Sequence, residues 1–344
     1  EVLLGYGYRV SGSDINETPV TMNLAAKGAK IYYQHEADNI NDVDLIIYSS
    51  AINNENPEVL RARELGIPLI KRAEMLAELM RLKYGIAIAG SHGKTTTTSL
   101  VASIFQSAKL DATHIIGGIV HHLGGNAKKG DSQYLIAEAD ESDGSFLYLN
   151  PIMAALTNVD NDHLDHYGTV DKIKLAFSEF VNKVPFYGRV ALNANDAASV
   201  ELKSEVKRSI VWYGYGEHSF PIDYHAQNIE LSASGSIFDL YYKGEFQVKV
   251  QTHLIGMHNI SNTLAAISLC HETGLEWNTI LEGLKAFRGV GRRLEKIWEN
   301  DQFIIFDDYG HHPTEVAATI SALKMVDPRP LTVVFEPHRY TRTQ

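Results

Sequence analysis

The residue types between positions 86 and 96 are those of a phosphate-binding loop. The short apolar run from Ile86 to Ala89 predicts a buried strand, and the sequence from Lys94 onward predicts a helix. The turn between them consists of Gly90, Ser91, His92 and Gly93. Glycines let backbone N–H groups point inward, and a helix N-terminus adds partial positive charge. Lys94 can then reach phosphate oxygens, and the hydroxyl of Thr95 can hold Mg²⁺. Thr96 is the next residue of this segment.

The spacing of this loop leaves a second interpretation open. The usual phosphate-loop pattern has four residues between its first glycine and the Gly-Lys pair, whereas only Ser91 and His92 separate Gly90 from Gly93. An ordinary strand-to-helix turn is therefore the alternative. The choice depends on the residues that neighbouring strand ends supply.

Acidic and histidine side chains follow the next two predicted strands. The apolar run at 134–137 leads into four acids within six residues, which are Glu138, Asp140, Glu141 and Asp143. Carboxylates so close together are costly unless a cation or water compensates them, and Mg²⁺ bound with phosphates is a natural partner. The strand predicted at 151–156 leads to His163, for which a capped loop histidine is the alternative to a role in the site.

The elements that must position these residues alternate between strand and helix. Within residues 1–82, strands are predicted at 9–13, 30–33, 44–50 and 67–70, and helices at 20–28, 57–65 and 72–82. This alternation is typical of a parallel sheet with helices on its faces, in which ligands bind at the carboxyl ends of strands. Asp14, Ser49 and Ser50 lie at such ends. Asp14 is therefore a candidate sugar or nucleotide contact, with a turn or helix-capping role as the alternative.

The later part of the chain has a different pattern. Residues 117–130 contain several glycines and two histidines and predict a mobile loop, while period-two alternation at 224–250 predicts a small antiparallel sheet beside the main one. Asn259 precedes a predicted apolar helix. Its side chain either caps this helix or contacts the edge of a nucleotide base. The cationic, glycine-rich segment 287–293 suits either a hinge that touches phosphate or a surface charge cluster. A last strand is predicted at 331–335.

The composition narrows the class of protein. The 344 residues suffice for two or three domains, and the net charge of −11 argues against a general nucleic-acid binder. The one cysteine, Cys270, excludes a disulfide framework and fits a cytoplasmic location. The sequence contains neither an apolar run of membrane-spanning length nor a signal peptide. Both ends look cut, so we expect a fragment of a longer protein.

Seven ordered blocks of this sequence resemble those of the Mur ligases. They are AGSHGKTTTT at 89–98, EADESDGSFLYLNP at 138–151, TNVDNDHLDHY at 157–167, GMHNISN at 256–262, GVGRRLE at 289–295, DDYGHHPTE at 307–315 and EPHRYTRT at 336–343. The resemblance extends over essentially the whole chain. The blocks at 307–315 and 336–343 are most similar to those of the alanine-adding members of the family.

The resemblance implies an α/β fold with three domains. A Rossmann-like UDP-sugar-binding domain is expected at 1–82 and a central ATP-binding domain at 83–290, with a phosphate loop, a parallel sheet and a small antiparallel sheet. The start of a Rossmann-like amino-acid-binding domain is expected at 291–344. The first and third domains are truncated, and closure is expected about a hinge at 289–293.

The same resemblance implies an activity. It is the ATP-dependent ligation of L-alanine to the lactyl carboxylate of UDP-N-acetylmuramate through an acyl phosphate, with ATP and Mg²⁺, in peptidoglycan precursor synthesis. The enzyme would be a cytoplasmic monomer or homodimer, with no nucleic-acid or membrane partner. Three alternatives remain: a ligase that attaches a preformed tripeptide to the same sugar nucleotide, a phosphate-loop kinase, and a non-catalytic nucleotide-binding regulator.

Individual roles also follow from the resemblance. Catalysis is assigned to Lys94, His163, His311 and Arg339, with His311 as a hypothesis for the base that deprotonates the amine. Metal binding is assigned to Thr95, Glu138 and His163. ATP contacts are assigned to residues 90–96 together with His258, Asn259, Arg293 and Asp308. Substrate contacts are assigned to Asp14, Ser49, Ser50, Arg72, Tyr309, His311, His338, Arg339 and Arg342.

Overall fold

The computed structural model of the chain describes residues 1–49 and 51–337. Four residues predicted for the site, Ser50, His338, Arg339 and Arg342, lie outside the described residues. The helices are α1 Val2–Gly5, α2 Pro19–Ala26, α3 Pro57–Leu65, α4 Arg72–Arg81, α5 Lys94–Ser107, α6 Leu164–Tyr167, α7 Val170–Asn182, α8 Ala197–Glu201, α9 Met257–Glu272, α10 Trp277–Ala286 and α11 Pro313–Val326. Among the described residues, none of these helices is both long enough and apolar enough to span a bilayer.

The strands follow the predicted alternation in the first half of the chain. They are β1 Ser11–Ser13, β2 Lys30–Tyr32, β3 Ile46–Tyr48, β4 Leu69–Lys71, β5 Tyr84–Ala89, β6 Thr113–Val120, β7 Gly125–Lys128, β8 Tyr134–Glu138, β9 Met153–Leu156, β10 Arg189–Asn193, β11 Ile210–Tyr215, β12 Tyr224–Ser232, β13 Gly235–Tyr242, β14 Glu245–Thr252, β15 Glu295–Glu299 and β16 Ile304–Asp307.

One ten-stranded sheet forms the centre of the molecule. Its order is β14-β13-β12-β11-β10-β9-β5-β8-β6-β7. The neighbouring strands β12, β11, β10, β9, β5, β8 and β6 pair in parallel. The pairs β12–β13 and β13–β14 at one edge and β6–β7 at the other edge are antiparallel. The predicted antiparallel strands are thus confirmed, and they continue the edge of the parallel sheet through the β11–β12 pairing. In parallel sheets the ligand site lies at the carboxyl ends of the strands.

Alternating side chains of β5 bury both faces of this sheet. Ile86 and Ile88 belong to one core cluster, which α5, α9 and α10 cover, while Ala87 and Ala89 belong to a second core under α4 and α7. All four side chains are fully buried. A strand covered by helices on both faces has a continuous apolar sequence, which is why the run at 86–89 predicted it correctly.

The chain on either side of the central sheet forms smaller units. In the first 82 residues, β1 pairs with β2 and β3 pairs with β4, both in parallel, as two separate two-stranded sheets. After the central sheet, β15 and β16 form an antiparallel pair, which α11 follows.

Two sequence predictions are wrong. Residues 117–130 are not a loop, because they contain the end of β6 and all of β7, which pair antiparallel at the sheet edge. Glycine-rich strands lack the side-chain periodicity from which strands are predicted. Residues 331–335 do not form a strand in the described part of the chain. A strand requires a hydrogen-bonded neighbour, which this apolar run does not have among the described residues.

Candidate active site

The turn after β5 lies between two neighbours in the sheet, β9 and β8, whose ends carry acidic and histidine residues. Gly90 and Gly93 have φ values of +130° and +84°. A Cβ atom on Gly90 would lie 2.1 Å from Oγ1 of Thr157, and one on Gly93 would lie 2.3 Å from Oδ1 of Asn262. Both positions therefore require glycine, because of the backbone conformation and because of the close neighbours.

Lys94 begins α5 and folds back over the turn. Its Nζ donates to the carbonyl oxygens of Gly90 at 2.7 Å and Ser91 at 3.2 Å, and to Oε1 of Glu141 at 2.8 Å. Burial lowers the pKa of Lys94, but the carboxylates of Glu141 and Glu138 outweigh it, so the pKa is raised. Lys94 is therefore a buried, protonated cation at the mouth of the loop.

Thr95 and Glu138 form a hydroxyl–carboxylate pair beside this cation. Oγ1 of Thr95 donates to Oε1 of Glu138 at 3.1 Å, and the backbone N–H of Gly117 donates to Oε2 of Glu138 at 2.8 Å. A Cβ on Gly117 would lie 2.7 Å from that carboxylate. The predicted loop is thus a strand whose glycine allows Glu138 to approach. Thr96 is buried in the same first turn of α5.

Glu141 connects Lys94 to His163. Its Oε1 lies 3.6 Å from Nε2 of His163 as well as 2.8 Å from Nζ of Lys94. Its Oε2 is buried and has no hydrogen-bond partner among the described residues. Burial raises the pKa of Glu141 to about 7 against the lowering effect of Lys94. His163 has a φ of +58° ahead of α6, a strained conformation for a side-chain-bearing residue.

His92, in the middle of the turn, contacts two carboxylates. Its Nε2 lies 2.9 Å from Oδ2 of Asp160, and its Nδ1 lies 3.2 Å from Oε1 of Glu315. Burial lowers the pKa of His92, but Glu315 and Asp160 together raise it above its usual value. The Thr314 hydroxyl also donates to Oδ2 of Asp160, at 2.6 Å. The first turn of α11 is thereby attached to the phosphate loop.

Arg293, Asp308, Tyr309 and His311 surround the same end of α11. Nη1 of Arg293 lies 3.8 Å from Oε1 of Glu315, and its guanidinium lies 5.4 Å from the Tyr309 ring centre. The backbone N–H of His311 donates to Oε2 of Glu315 at 3.1 Å.

Asp308 accepts hydrogen bonds from the N–H groups of Leu294 and Gly310, both at 2.7 Å. Asp308 therefore orders this turn in the structure.

His258 and Asn259 lie at the start of α9. Burial lowers the pKa of His258, and the charge of Asp308 acts in the opposite direction. The Asn259 amide donates to the carbonyl of Ile255 at 2.9 Å, and its Oδ1 accepts from Asn262 at 3.0 Å. The N-cap of α9 is Gly256, so of the two roles left open for Asn259 the structure does not show helix capping. Contact of Asn259 with a base stays a prediction.

The predicted substrate residues of the first 82 residues make mostly local contacts. Oδ1 of Asp14 accepts from the Asn16 N–H at 2.9 Å, and the Ser49 hydroxyl accepts from the Ala51 N–H at 3.3 Å. The turn interpretation of Asp14 therefore describes this structure. Arg72 begins α4. Burial raises the pKa of Asp143, but the hydrogen bonds from Ser145 and then the charge of Arg72 outweigh burial, so the pKa is lowered. The structure thus brings Arg72, but not Asp14 or Ser49, to the acidic run.

Family profiles match the chain in consecutive stretches. The profile described as Mur ligase family, catalytic domain, matches residues 1–84, and that of the Mur ligase middle domain matches residues 88–270. The middle-domain match alone spans more than half of the chain. The chain belongs to the Mur ligase family. The profile described as Mur ligase, glutamate ligase domain, matches residues 292–343.

Relatives of this Mur ligase extend over its whole length. The UDP-N-acetylmuramate–L-alanine ligase of Acidithiobacillus ferrooxidans is 48% identical over 350 residues, which cover 100% of this chain and 75% of the relative. The protein of the same name from Nitratidesulfovibrio vulgaris is 49% identical over 347 residues, again covering 100% and 75%. The family resemblance seen in the sequence blocks is therefore confirmed.

Solved structures of two Mur ligases share this fold. The UDP-N-acetylmuramate-alanine ligase of Thermotoga maritima superposes with a TM-score of 0.81 at 30% identity, covering 94% of this chain and 74% of that one. A murein peptide ligase of Psychrobacter arcticus gives a TM-score of 0.80 at 25% identity, covering 98% and 77%. The fold alone does not distinguish these two ligases.

Sequence reasoning missed four residues that this Mur ligase places in the site: Glu141, Asp160, His312 and Glu315. Glu141 and Asp160 stood in runs of acids in which no single member was distinguishable. Glu315 stood in the first turn of a predicted helix, where an acid is expected for capping alone. Its hydrogen bond to His92 spans 223 residues of sequence, which no local pattern reveals.

Proposed function

We propose that this Mur ligase uses ATP to join L-alanine to the lactyl carboxylate of UDP-N-acetylmuramate. The geometry that carries the proposal is the loop after β5, where Lys94 and the Thr95–Glu138 pair lie side by side. The choice of substrates is supported by relatives of that name at 48% and 49% identity across the whole chain.

The chemistry explains why a buried cation is needed at this loop. A carboxylate is a poor electrophile at neutral pH and must first become an acyl phosphate, which requires two anions to meet. Lys94 would stabilise the transferring phosphoryl group, and the N–H groups of the loop and of the first turn of α5 would bind the other phosphate oxygens. Lys94 would have to exchange its contact with Glu141 for one with phosphate.

Mg²⁺ fits the residues beside Lys94. The Thr95 hydroxyl and the Glu138 carboxylate are hard oxygen donors. Glu141, which contacts Lys94 beside them, has a buried Oε2 that no described residue hydrogen-bonds. When bound, Mg²⁺ would neutralise phosphate charge. We propose that Thr95 and Glu138 hold it and that His163, which contacts Glu141, helps to hold a second ion.

The amino-acid end of the site would include Tyr309 and His311, together with His338, Arg339 and Arg342. A guanidinium fork suits the alanine carboxylate because it can hold both oxygens. We propose His311 as the group that accepts the proton of the alanine amine. His311→Ala should abolish the acidic limb of the pH–rate profile, where the rate falls as the base becomes protonated, and an unchanged profile would exclude this role.

The three-part division at 1–82, 83–290 and 291–344 is also proposed. The family profiles at 1–84, 88–270 and 292–343 support these boundaries. The cytoplasmic location and the monomeric or dimeric state stay predictions.

The decisive experiment measures phosphate release from ATP and Mg²⁺ with UDP-N-acetylmuramate and one amino acid at a time. We expect release that requires both substrates and is fastest with L-alanine. Release with the tripeptide but not with alanine would identify a peptide ligase. ATP binding without any release would favour a non-catalytic regulator.

A further inference from the structure

Two histidines and one carboxylate meet where the phosphate loop contacts α11. They are His92 in the turn after β5, Asp160 in the loop after β9 and His312 at the N-cap of α11. One ligand atom of each lies within 4.8 Å of those of the other two. Oδ2 of Asp160 lies 2.9 Å from Nε2 of His92 and 3.6 Å from Nδ1 of His312.

The proposed reaction uses none of these three atoms as a metal ligand. The residues proposed for Mg²⁺, Thr95 and Glu138, supply oxygen donors only, whereas this cluster supplies two imidazole nitrogens and one carboxylate oxygen. Mg²⁺ takes oxygen ligands, while imidazole nitrogen is a preferred ligand of Zn²⁺ and similar transition-metal ions.

Neighbouring hydrogen-bonding groups hold the side chains of His92 and Asp160 in place, as such groups do around the ligands of known metal sites. The other ring nitrogen of His92 faces Oε1 of Glu315 at 3.2 Å, which is the carboxylate–histidine arrangement that fixes an imidazole for metal binding. Glu315 is itself held by the backbone N–H groups of His311 and His312, at 3.1 and 3.3 Å. Asp160 is oriented by the N–H of Asn161 at 2.7 Å and by the Thr314 hydroxyl at 2.6 Å.

The cluster is accessible yet not fully exposed. The side chains of His92, His312 and Asp160 retain 12%, 16% and 28% of their exposure. Such a position leaves room for water as a fourth ligand. Nδ1 of His312 accepts a hydrogen bond of 3.4 Å from the Thr314 N–H, and a metal at that nitrogen would replace this long bond.

We propose that His92, Asp160 and His312 bind one transition-metal ion of the Zn²⁺ class. The ion would take the place of the proton between His92 and Asp160. Because the ligands come from the phosphate loop, the β9 loop and α11, it would join the C-terminal segment to the nucleotide-binding region.

The test is a titration of the chain with Co²⁺ in Mg²⁺-containing buffer, without ATP or substrates. We expect one equivalent to give the intense visible absorption of four-coordinate Co²⁺, and Zn²⁺ to displace it. His312→Asn should weaken binding about 10-fold or more, since asparagine still caps α11 but supplies no imidazole. His253→Asn, at an exposed histidine outside the cluster, is the matched control and should bind as the unmodified chain does.

Two further measurements keep the result independent of folding and of the ligase reaction. Asp160→Asn should also weaken Co²⁺ binding, and Zn²⁺ should slow amide hydrogen exchange in α11 of the unmodified chain but not of His312→Asn. The proposal is wrong if Co²⁺ gives only the weak spectrum of six-coordinate ions, or if His312→Asn and His253→Asn bind it equally. No outcome depends on whether L-alanine is the substrate.

Discussion

At the scale of single residues, Lys94 and Glu141 form the pair on which the proposed chemistry depends. Lys94 is held by two loop carbonyls and by Glu141, and Glu141 retains one buried oxygen without a partner among the described residues. Breaking a buried ion pair by removing one member leaves an uncompensated charge, which is costly to folding. Loss of activity and loss of stability must therefore be separated in any test of Lys94.

Lys94→Ala is expected to lower the rate of phosphate release about 10²- to 10³-fold, because a fixed cation at the transferring phosphoryl group is lost. It should also destabilise the fold by about 3 kcal/mol, because Glu141 loses its cation. In the double variant Lys94→Ala/Glu141→Gln, the stability should largely return while the activity stays low.

These effects are measured by urea unfolding and phosphate release, with Lys172→Ala on the exposed face of α7 as the control. Recovery of activity in the double variant would show that Lys94 acts only through the fold.

His114 in β6 gives a second prediction at this scale. Burial lowers its pKa from 6.5 to about 4, and its Nε2 has no hydrogen-bond partner among the described residues. The unfolded chain therefore binds a proton at His114 more readily than the folded chain does. The contribution of neutral His114 to the free energy of unfolding is fully present above pH 6.5 and is lost as the pH falls toward 4. The loss should be about 3 kcal/mol.

His114→Gln should remove this part of the pH dependence, whereas His253→Gln should retain it. The free energy of unfolding in urea at pH 7 and at pH 4.5 provides the measurement. If the free energy of unfolding falls equally between pH 7 and pH 4.5 for the unmodified chain and for His114→Gln, the prediction is wrong.

At the scale of elements, the turn between β5 and α5 requires glycine at position 93 for two reasons, which are a left-handed backbone conformation and a close neighbouring side chain. Gly244 shares the first reason only and so separates the two. Gly93 has a φ of +84° and Gly244, in the turn between β13 and β14, has a φ of +85°. A Cβ on Gly93 would lie 2.3 Å from Oδ1 of Asn262, whereas a Cβ on Gly244 would have open space among the described residues.

Gly244→Ala should therefore cost only the backbone strain, about 1 kcal/mol. Gly93→Ala should cost about 1–3 kcal/mol more, since Asn262 must move and loses its bonds to Thr97 and Asn259. Thermal and urea unfolding of the two variants compare these costs directly. Equal destabilisation would mean that Asn262 yields without cost.

At the scale of the whole molecule, Glu315 attaches α11 to the phosphate loop. Its carboxylate contacts His92 and the backbone of His311 and His312. Burial raises the pKa of Glu315, but the bond with His92 and the nearby charges outweigh it and hold the pKa far below its usual value. The carboxylate is therefore ionised across the physiological range.

Glu315→Gln should loosen this attachment, because a neutral acceptor replaces a charged one while the helix cap is retained. The amides of α11 should exchange with solvent about 10-fold faster, which hydrogen exchange with mass spectrometry measures. Glu282→Gln, on the exposed side of α10, should leave α11 unchanged. Unchanged exchange in Glu315→Gln would mean that α11 is held by other contacts.

Much of the fold was predictable because its elements have strong local patterns. The helix at 57–65 was predicted with the bounds the structure shows, since Pro57 starts it and Gly66 ends it in a left-handed conformation. The β5–α5 unit was predicted from its apolar run and its glycines. The β6–β7 pair was missed because Gly117 and Gly118 are selected by the approach of Glu138 and Thr95, not by strand propensity.

The sequence by itself determined the α/β class, the phosphate loop and the family, because these depend on residue types at short, fixed spacings. Only the tertiary structure decided which acids face which cations: Glu141 pairs with Lys94, and His92 lies between Asp160 and Glu315. These pairs join residues from different strand ends and from α11. Their formation depends on the order of β8, β5 and β9 in the sheet and on the docking of α11, which local periodicity does not encode.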